Sequence, residues 1–392
     1  MINIKSEQKW SWWPLLPLYP YGTKRTIFRE LVPNQIWSFE QLQGIYYVAV
    51  PVRLIVVRVK NELMIINPLP PTTELLMGID VLQKKIGPVK TIVLPTASGL
   101  EHKIGLPALA RAFPNAKVWV CPGQFSFPFQ LPLDWLGIPS ERTNILLADG
   151  FPHGDCCDWI PLGPIDIGLA RFQEICCFHK PSKSLLVTDA LVGIEETPPE
   201  IFDLDPTPLL FHSREKGSEE LIDTPMARKK GWLRLVLFAS YLRPEKLEIP
   251  RIKEIFLNSF KPNLRNKRSH FGIYPFSWQK GWELSAQKIV GKRTPLIQIA
   301  PVIERLVFPR AQEAFVTWLN KVESLEGISW LISAHYSGKV RFSKNEIKGL
   351  KNKINKSNWA SNEGDYGFLG WLDKKLLNFG VVPIKPMEKF GD

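Results

Sequence analysis

The chain has 392 residues, of which 45% are hydrophobic and 22% are charged, and this balance is ordinary for a soluble globular protein. The length allows one large α/β domain or two smaller ones. No apolar run reaches the ~18 residues that a membrane-spanning helix needs, which excludes a transmembrane segment. The formal net charge of +12 favours contact with anions, although a solvated surface is the simpler interpretation.

The cysteines and the N-terminus indicate the compartment. The five cysteines are Cys121 and two vicinal pairs, Cys156–Cys157 and Cys176–Cys177. An odd number with vicinal pairs makes a poor disulfide framework, and no C-x-x-C spacing supports a zinc ribbon or a thioredoxin-like site. The first thirty residues lack the basic-then-apolar order of a signal peptide. We therefore expect a reducing, cytoplasmic location.

The first third of the chain reads as an aromatic arm followed by strands and helices. The arm contains Trp10, Trp12 and Trp13 and ends near residue 33. Aliphatic and β-branched runs predict strands at 46–50, 54–59, 63–66, 90–95 and 116–121. Apolar residues at helical spacing predict a helix at 75–86. A second helix is expected at 107–113, with Pro107 in its first turn.

The rest of the chain alternates between strand-rich and helix-rich regions. Strand patterns occur near residues 158, 165, 172 and 184, and a last buried strand begins near 327. Residues 302–325 read as a helix that is interrupted at Pro309. Basic residues concentrate at 251–268 and at 339–356, where solvated surface is again the simpler interpretation.

These patterns predict an α/β fold with strands inside and helices outside. The N-terminal arm is assigned to residues 1–33 and the main domain to residues 34–340. A helical insertion at about 205–294 is expected to cap the functional site. Residues 341–392 form a basic C-terminal extension that contains aromatic residues.

Three strands end at residues that can bind metal ions. Glu101 and His102 follow "TIVLP", Asp189 follows "SLLVT", and His335 ends "GISWLISAH". Sites in α/β folds collect at such strand ends. Each residue alone is more often a cap or a surface group, but their recurrence indicates a shared site. Two imidazoles and two carboxylates suit zinc, manganese or iron.

The order of elements and these strand ends resemble the metallo-β-lactamase superfamily, from about Ile36 to Val340. That resemblance implies a four-layer αββα sandwich with metal ions at the edge of the sheets. The stretch "TASGLEH" is similar to the family motif T-H-x-H-x-D-H, with Glu101 and His102 in the last two places. Ala97 and Gly99 replace the two earlier histidines.

The resemblance also implies which metal position survives. The later histidine of the first position is missing, and Glu174 is a candidate substitute. Counterparts for the second position are Glu101, His102, Asp189 and His335. We therefore expect one divalent ion held by these four residues, with Glu101 and Asp189 as catalytic carboxylates. The alternative is a metal-free hydrogen-bond cluster that only holds the loop.

Two functions are left open. One is a single-metal hydrolase of an ester, thioester or phosphorylated substrate, with the basic stretches favouring an anionic one. The other is a non-catalytic binding or assembly protein on the same fold, which contacts a protein partner through the N-terminal arm or lies at a membrane surface. Nucleic acid is not expected as a partner, because the nucleases of the superfamily use the missing H-x-H pair.

The stretch "FPNAKVWVCPG" narrows the resemblance to an uncharacterised domain-of-unknown-function family from photosynthetic organisms. This implies a cyanobacterial or plastid protein, located in the cytoplasm, in the stroma or at the thylakoid surface. It implies no particular substrate.

Overall fold

The computed structural model describes residues 8–10, 18–124, 131–168, 171–249, 253, 255, 257, 260–261, 273–356 and 361–384. Trp12, Trp13 and Trp359 lie outside the described residues, as does most of the basic stretch at 251–268. No helix of the described part is both long enough and apolar enough to cross a membrane.

The first sheet has eight strands within the described part of the chain. They are β1 (Leu18–Tyr19), β2 (Ile27–Val32), β3 (Ile36–Ile45), β4 (Val48–Val59), β5 (Glu62–Ile66), β6 (Val89–Leu94), β7 (Lys117–Val120) and β8 (Thr143–Ile145). The strands lie in the order β1-β3-β4-β5-β6-β7-β8, and β2 also pairs with β3. Strands β3, β4 and β5 are antiparallel, whereas β5 to β8 run parallel.

The remaining strands are β9 (Cys157–Asp166), β10 (Arg171–His179), β11 (Ser184–Val187), β12 (Val192–Ile194), β13 (Leu247–Glu248), β14 (Ser277–Trp278), β15 (Leu296–Gln298), β16 (Trp330–Ser333) and β17 (Lys339–Arg341). Among the residues that the structure describes, five of them form the second sheet, in the order β17-β16-β11-β10-β9. Strands β11 and β16 are parallel neighbours, with Ser184 paired to Trp330, although these two residues are 146 positions apart in the chain. Strand β12 pairs with β15, and β13 pairs with β14, in two small sheets of the described residues.

The helices connect the strands and cover the sheets. They are α1 (Thr73–Lys85), α2 (Leu100–Ala112), α3 (Ile201–Leu204), α4 (Thr207–Ser213), α5 (Pro225–Tyr241), α6 (Trp282–Ile289), α7 (Pro301–Leu306), α8 (Gln312–Glu323), α9 (Lys344–Lys356) and α10 (Gly367–Asn378). Helix α1 begins where the Thr72 hydroxyl accepts a hydrogen bond from the Leu75 N–H at 3.2 Å, which satisfies one N–H of its first turn.

The buried side chains arrange these elements in four layers. The two sheets face each other across a core that contains Ile55 and Met64 of the first sheet and Ile175 and Ile332 of the second. Helices α1 and α2 pack on the outer face of the first sheet. Helices α8 and α9 pack on the outer face of the second. The fold is therefore the αββα sandwich that the sequence predicts.

The insertion has a core of its own that reaches the main domain. Its core includes Phe211 of α4 and Trp232 and Leu235 of α5. These side chains pack with Tyr336, the residue that follows His335. The Trp232 and Tyr336 rings have their centroids 6.0 Å apart. The insertion therefore touches the loop that contains His335.

The structure differs from the sequence expectations in several elements. Helix α2 begins at Leu100, so Glu101 and His102 lie in its first turn and Pro107 lies inside it. The expected strands 46–50 and 54–59 form the single strand β4. Residues 18–19 and 27–32 of the expected arm pair with β3 in the first sheet. The interruption of the helix at Pro309 is confirmed, since α7 and α8 flank a short 3₁₀ turn there.

Candidate metal centre

The predicted site residues meet where the two sheets come together. Glu101 and His102 lie in α2, which follows β6 of the first sheet. Asp189 follows β11 and His335 follows β16, which are parallel neighbours in the second sheet. Isolated bridges join Thr96 to Glu174 and Val52 to His335, linking the sheets on either side of the site.

His335 is the central residue of the cluster. Its Nε2 lies 3.2 Å from Oε1 of Glu101 and 3.1 Å from Oδ1 of Asp189. Its Nδ1 lies 3.2 Å from the Pro51 carbonyl oxygen. Because a carbonyl only accepts, Nδ1 must carry a proton and donate it. The ring is therefore oriented so that Nε2 alone faces the carboxylates.

The imidazole and the carboxylates of the cluster shift the pKa values of one another. Burial lowers the pKa of His335, but the hydrogen bonds and charges of Asp189 and Glu101 outweigh it and raise that pKa to about 10. Burial raises the pKa of Glu101, but the hydrogen bond and charge of His335 bring it down to about 2. As arranged, His335 holds a proton on Nε2 between two carboxylates.

His102 lies beside this pair without a comparable partner. Its side chain is completely buried, and neither ring nitrogen forms a hydrogen bond of good geometry among the described residues, although the Pro68 backbone interacts with the ring and raises its pKa. Burial lowers its pKa to about 4, opposed in part by the charge of Glu101, so the ring is neutral at pH 7. The His102 and His335 ring centroids are 5.9 Å apart.

The donor atoms satisfy the spacing of a metal site. One ligand atom each from Glu101, His102 and His335 lies within 4.8 Å of the other two. Two imidazole nitrogens and a carboxylate oxygen suit zinc, iron or manganese. A neutral buried imidazole with an unsatisfied nitrogen is the form that binds a metal ion. Asp189 contacts the same His335 nitrogen from another side.

Glu174, the candidate substitute for a missing histidine, has a different task. Its carboxylate accepts hydrogen bonds from the N–H groups of Thr188 at 2.6 Å and of Asp189 and Ala190 at 2.8 Å each. Burial, reinforced by the charge of Asp189, raises its pKa to about 7 despite these bonds. The side chain therefore holds the loop that positions Asp189.

Two residues near the site were not found from the sequence. Lys103 is 7% exposed, and its Nζ donates to the Ala97 carbonyl at 3.1 Å, beside the place of the first missing histidine. Burial lowers the pKa of Lys103 to about 8. A lysine after the acid–histidine pair was visible in "GLEHK", but nothing in the pattern indicated that it is buried.

Arg53 of β4 is the second residue, and it holds the loop that carries His335. Its guanidinium donates to the carbonyl oxygens of Ser333, of Tyr336 at 2.7 Å and of Ser337 at 3.3 Å. Arg53 and its partner Glu40, 3.2 Å away, are each 1% exposed. A buried arginine with three carbonyl partners fixes the backbone on both sides of the histidine.

Comparison with known proteins assigns a family to this chain. A family model described as a domain of unknown function, DUF4336, matches residues 33–352. No curated protein matches the chain.

Among solved structures, the chain is similar to several metallo-β-lactamases. For DIM-1 the identity is 12% and the TM-score 0.31, with 43% of this chain and 71% of that one covered. For an enzyme from Pontibacter korlensis the values are 16% and 0.32, covering 47% of this chain and 83% of that one. For TMB-1 the identity is 12% and the TM-score is 0.33, with 47% of this chain and 81% of that one covered.

Proposed function

We propose that this chain, which belongs to the DUF4336 family, is a hydrolase that depends on a single divalent metal ion. The observation that carries the proposal is the convergence of Glu101, His102 and His335, whose ligand atoms lie within 4.8 Å of one another. Asp189 is proposed as the fourth ligand, because its Oδ1 lies 3.1 Å from His335 Nε2.

The donor set is suited to a metal ion as well as to the proton that His335 holds. The buried, neutral His102 supplies a nitrogen with no competing hydrogen bond among the described residues. The Pro51 carbonyl keeps the proton of His335 on Nδ1, which leaves Nε2 to bind either a proton or a metal ion. Metal binding must therefore release one proton from this ring.

The two carboxylates are proposed to take part in binding the metal ion and in activating water. A divalent ion bound here supplies a water of lowered pKa and polarises a substrate oxygen. Glu101, whose Oε1 lies 3.2 Å from His335 Nε2, is proposed as a ligand of the ion or as the base beside it. Asp189 is proposed to act as the fourth ligand of the ion, since its Oδ1 reaches the same His335 nitrogen.

The substrate class that we propose is an ester, thioester or phosphorylated compound. Lys103 adds a cationic group beside the site, since its Nζ donates to the Ala97 carbonyl at 3.1 Å. The net charge of +12 likewise favours an anionic substrate.

Elemental analysis of protein purified without chelator tests the proposal. We expect about one equivalent of zinc, manganese or iron per chain, lost in His335→Ala and in His102→Ala. The control is His153→Gln, because His153 contacts Thr91, near the start of β6, and lies outside the cluster. Hydrolysis of ester, thioester and phosphodiester probes should stop on chelation and return with the metal.

A metal-free cluster is the competing possibility, and His335 favours it, since the proton on Nε2 already satisfies both carboxylates. The chain would then be a binding protein on the same fold. Wild-type protein that contains no metal, and binds none when titrated with zinc, manganese and iron(II), would decide for this second function.

A further inference from the structure

A cavity of about 500 Å³ lies where the small β13–β14 sheet of the insertion faces the first turns of α10. Cavities of about 300–1,000 Å³ are typical of small-molecule sites. The side chains in its wall that can contact a ligand are those of Arg243, Glu245, Glu248, Gln279 and Trp371. No residue of the candidate metal centre lines it, so the cavity is a separate feature of the molecule.

Trp371 gives the cavity an aromatic wall that is open to solvent. Its ring stacks on Phe368, one turn earlier in α10, with centroids 5.4 Å apart and planes inclined by 28°. Trp371 is nevertheless 53% exposed. An indole has two broad faces and a narrow edge, and the edge alone is too small to account for this exposed area. The face of Trp371 opposite Phe368 is therefore accessible to a ligand.

The polar side chains of the cavity include both donors and acceptors of hydrogen bonds. Arg243 is exposed, and its guanidinium forms no ion pair within the described part of the chain. The Glu248 carboxylate accepts a hydrogen bond from Nε2 of Gln279 at 2.5 Å. The Glu245 carboxylate lies 3.0 Å from Nζ of Lys246. Each carboxylate can accept further hydrogen bonds, whereas the guanidinium can only donate them.

This combination of groups favours an uncharged ligand with several hydroxyl groups. The two carboxylates are balanced by the cations of Arg243 and Lys246, so charge favours neither an anion nor a cation. A hydroxyl group donates to a carboxylate and accepts from a guanidinium, so it can bind to both kinds of side chain. A pyranose ring adds C–H groups, whose slightly positive hydrogens pack on the negative face of an indole.

We propose that this cavity binds a neutral saccharide whose pyranose ring carries equatorial hydroxyl groups, as in β-glucose. Such a ring is nearly flat, with C–H groups on both faces, so one face can lie on Trp371. The hydroxyl groups at its rim then reach the guanidinium of Arg243 and the carboxylates of Glu245 and Glu248. The proposal is independent of the hydrolase proposal, because it uses no residue of the metal centre.

Calorimetric titration of the full-length protein with cellotriose, a chain of β-linked glucose units, tests this proposal. Sorbitol is the control, because it has the hydroxyl groups of a reduced glucose unit but no ring that can stack. We expect cellotriose to bind at least about tenfold more tightly than sorbitol, since stacking and hydrogen bonds act together. Equal affinities, or no binding of cellotriose at up to about 10 mM, would overturn the proposal.

Variants of Trp371 locate the binding. Trp371→Ala removes the stacking surface and should weaken cellotriose binding about tenfold, whereas Trp371→Phe keeps a smaller ring and should weaken it about threefold. Phe379→Ala is the matched control, because Phe379 follows the same helix, is 75% exposed and does not line the cavity. Thermal melts show whether the variants are folded, and the comparison with sorbitol on the wild type does not depend on them. Unchanged binding by folded Trp371→Ala would contradict the proposal.

A zwitterion is the alternative ligand for a wall of mixed charge, and triglycine represents it. Its carboxylate matches Arg243 and its ammonium group matches Glu245 or Glu248, but it has no apolar ring face for Trp371. Tighter binding of cellotriose than of triglycine would support the saccharide site. Binding of triglycine as tightly as cellotriose, or more tightly, would assign the cavity to a zwitterion and overturn the proposal.

Discussion

The carboxylate of Glu174 accepts hydrogen bonds from three consecutive backbone N–H groups, and the middle one belongs to Asp189. In Glu174→Gln an amide NH₂ replaces one oxygen and faces a backbone donor. We expect the free energy of unfolding to fall by roughly 1–3 kcal/mol, the cost of an unsatisfied buried group. Urea unfolding measures it, and Glu326→Gln, an exposed position, should leave stability unchanged. Equal stabilities of the two variants would show that these bonds do not hold the loop.

His212 provides a pH-dependent prediction at the same scale. It is completely buried, and burial lowers its pKa from 6.5 to about 3. The unfolded chain therefore takes up a proton first, so stability is lost as the pH falls from 6.5 towards 3. At pH 4.5 the free energy of unfolding that is lost through His212 amounts to about 2–3 kcal/mol.

His212→Gln tests the sign of that effect. Glutamine keeps a donor for the Tyr47 carbonyl, which lies 3.1 Å from His212 Nε2, but it does not titrate. We expect the variant to lose less stability than the wild type between pH 7 and pH 4.5 in urea unfolding. Parallel pH curves for the two proteins would mean that His212 does not contribute to acid unfolding.

Strand-end patterns predicted that Asp189 and His335 lie at the same edge of a sheet, and the two side chains are 3.1 Å apart there. The roles of Glu174 and Arg53 could not be predicted in this way. Arg53 contacts Tyr336, which lies 283 positions further along the chain. A local sequence pattern does not indicate a contact between residues so far apart. Burial of a charged side chain depends on the assembled fold.

At the scale of elements, Arg53 couples β4 to the loop after β16. Replacing it alone would leave Glu40 buried and unpaired, which costs 3–5 kcal/mol in typical cases, so both partners must change. In Arg53→Met/Glu40→Gln we expect a folded protein whose affinity for the metal falls about tenfold or more, because three carbonyls around His335 lose their donor.

Competition with a chelating indicator measures that affinity, and a thermal melt reports the fold. Arg58→Met is a matched control on the same strand, because Arg58 donates to the Lys60 carbonyl at 3.0 Å and is exposed. A double variant that binds metal as tightly as the wild type would show that the loop holds its shape without Arg53.

The start of α2 shows where local signals fail. Pro107 predicted the first turn of a helix, because proline is common there. The helix instead begins at Leu100, after Gly99, and its buried residues Leu106 and Leu109 pack on the first sheet. Tertiary packing outweighs the lost hydrogen bond, and it places Glu101 and His102 in the first turn.

At the scale of the whole molecule, the C-terminal extension joins the main body. Ile347 and Leu350 of α9 lie in the core of the second sheet, although the sequence assigned residues 341–392 to an extension. Asp373 of α10 binds Arg305 at 2.8 Å and Arg310 at 2.6 Å, and all three side chains are no more than 4% exposed. This buried cluster ties α10 to α7 and to the turn that follows it.

Asp373→Ala would leave two buried guanidinium groups without their carboxylate, so we expect the free energy of unfolding to fall by about 3–5 kcal/mol. Asp203→Ala is the control, because its pair with Arg228 is on the surface, with Asp203 68% exposed, and such pairs contribute at most about 1 kcal/mol. Urea unfolding followed by tryptophan fluorescence measures both. If the extension belongs to the body, a single transition should shift to lower urea. A separate early transition, with the main one unmoved, would show that α10 folds as an independent unit and that the ion cluster does not stabilise the sandwich.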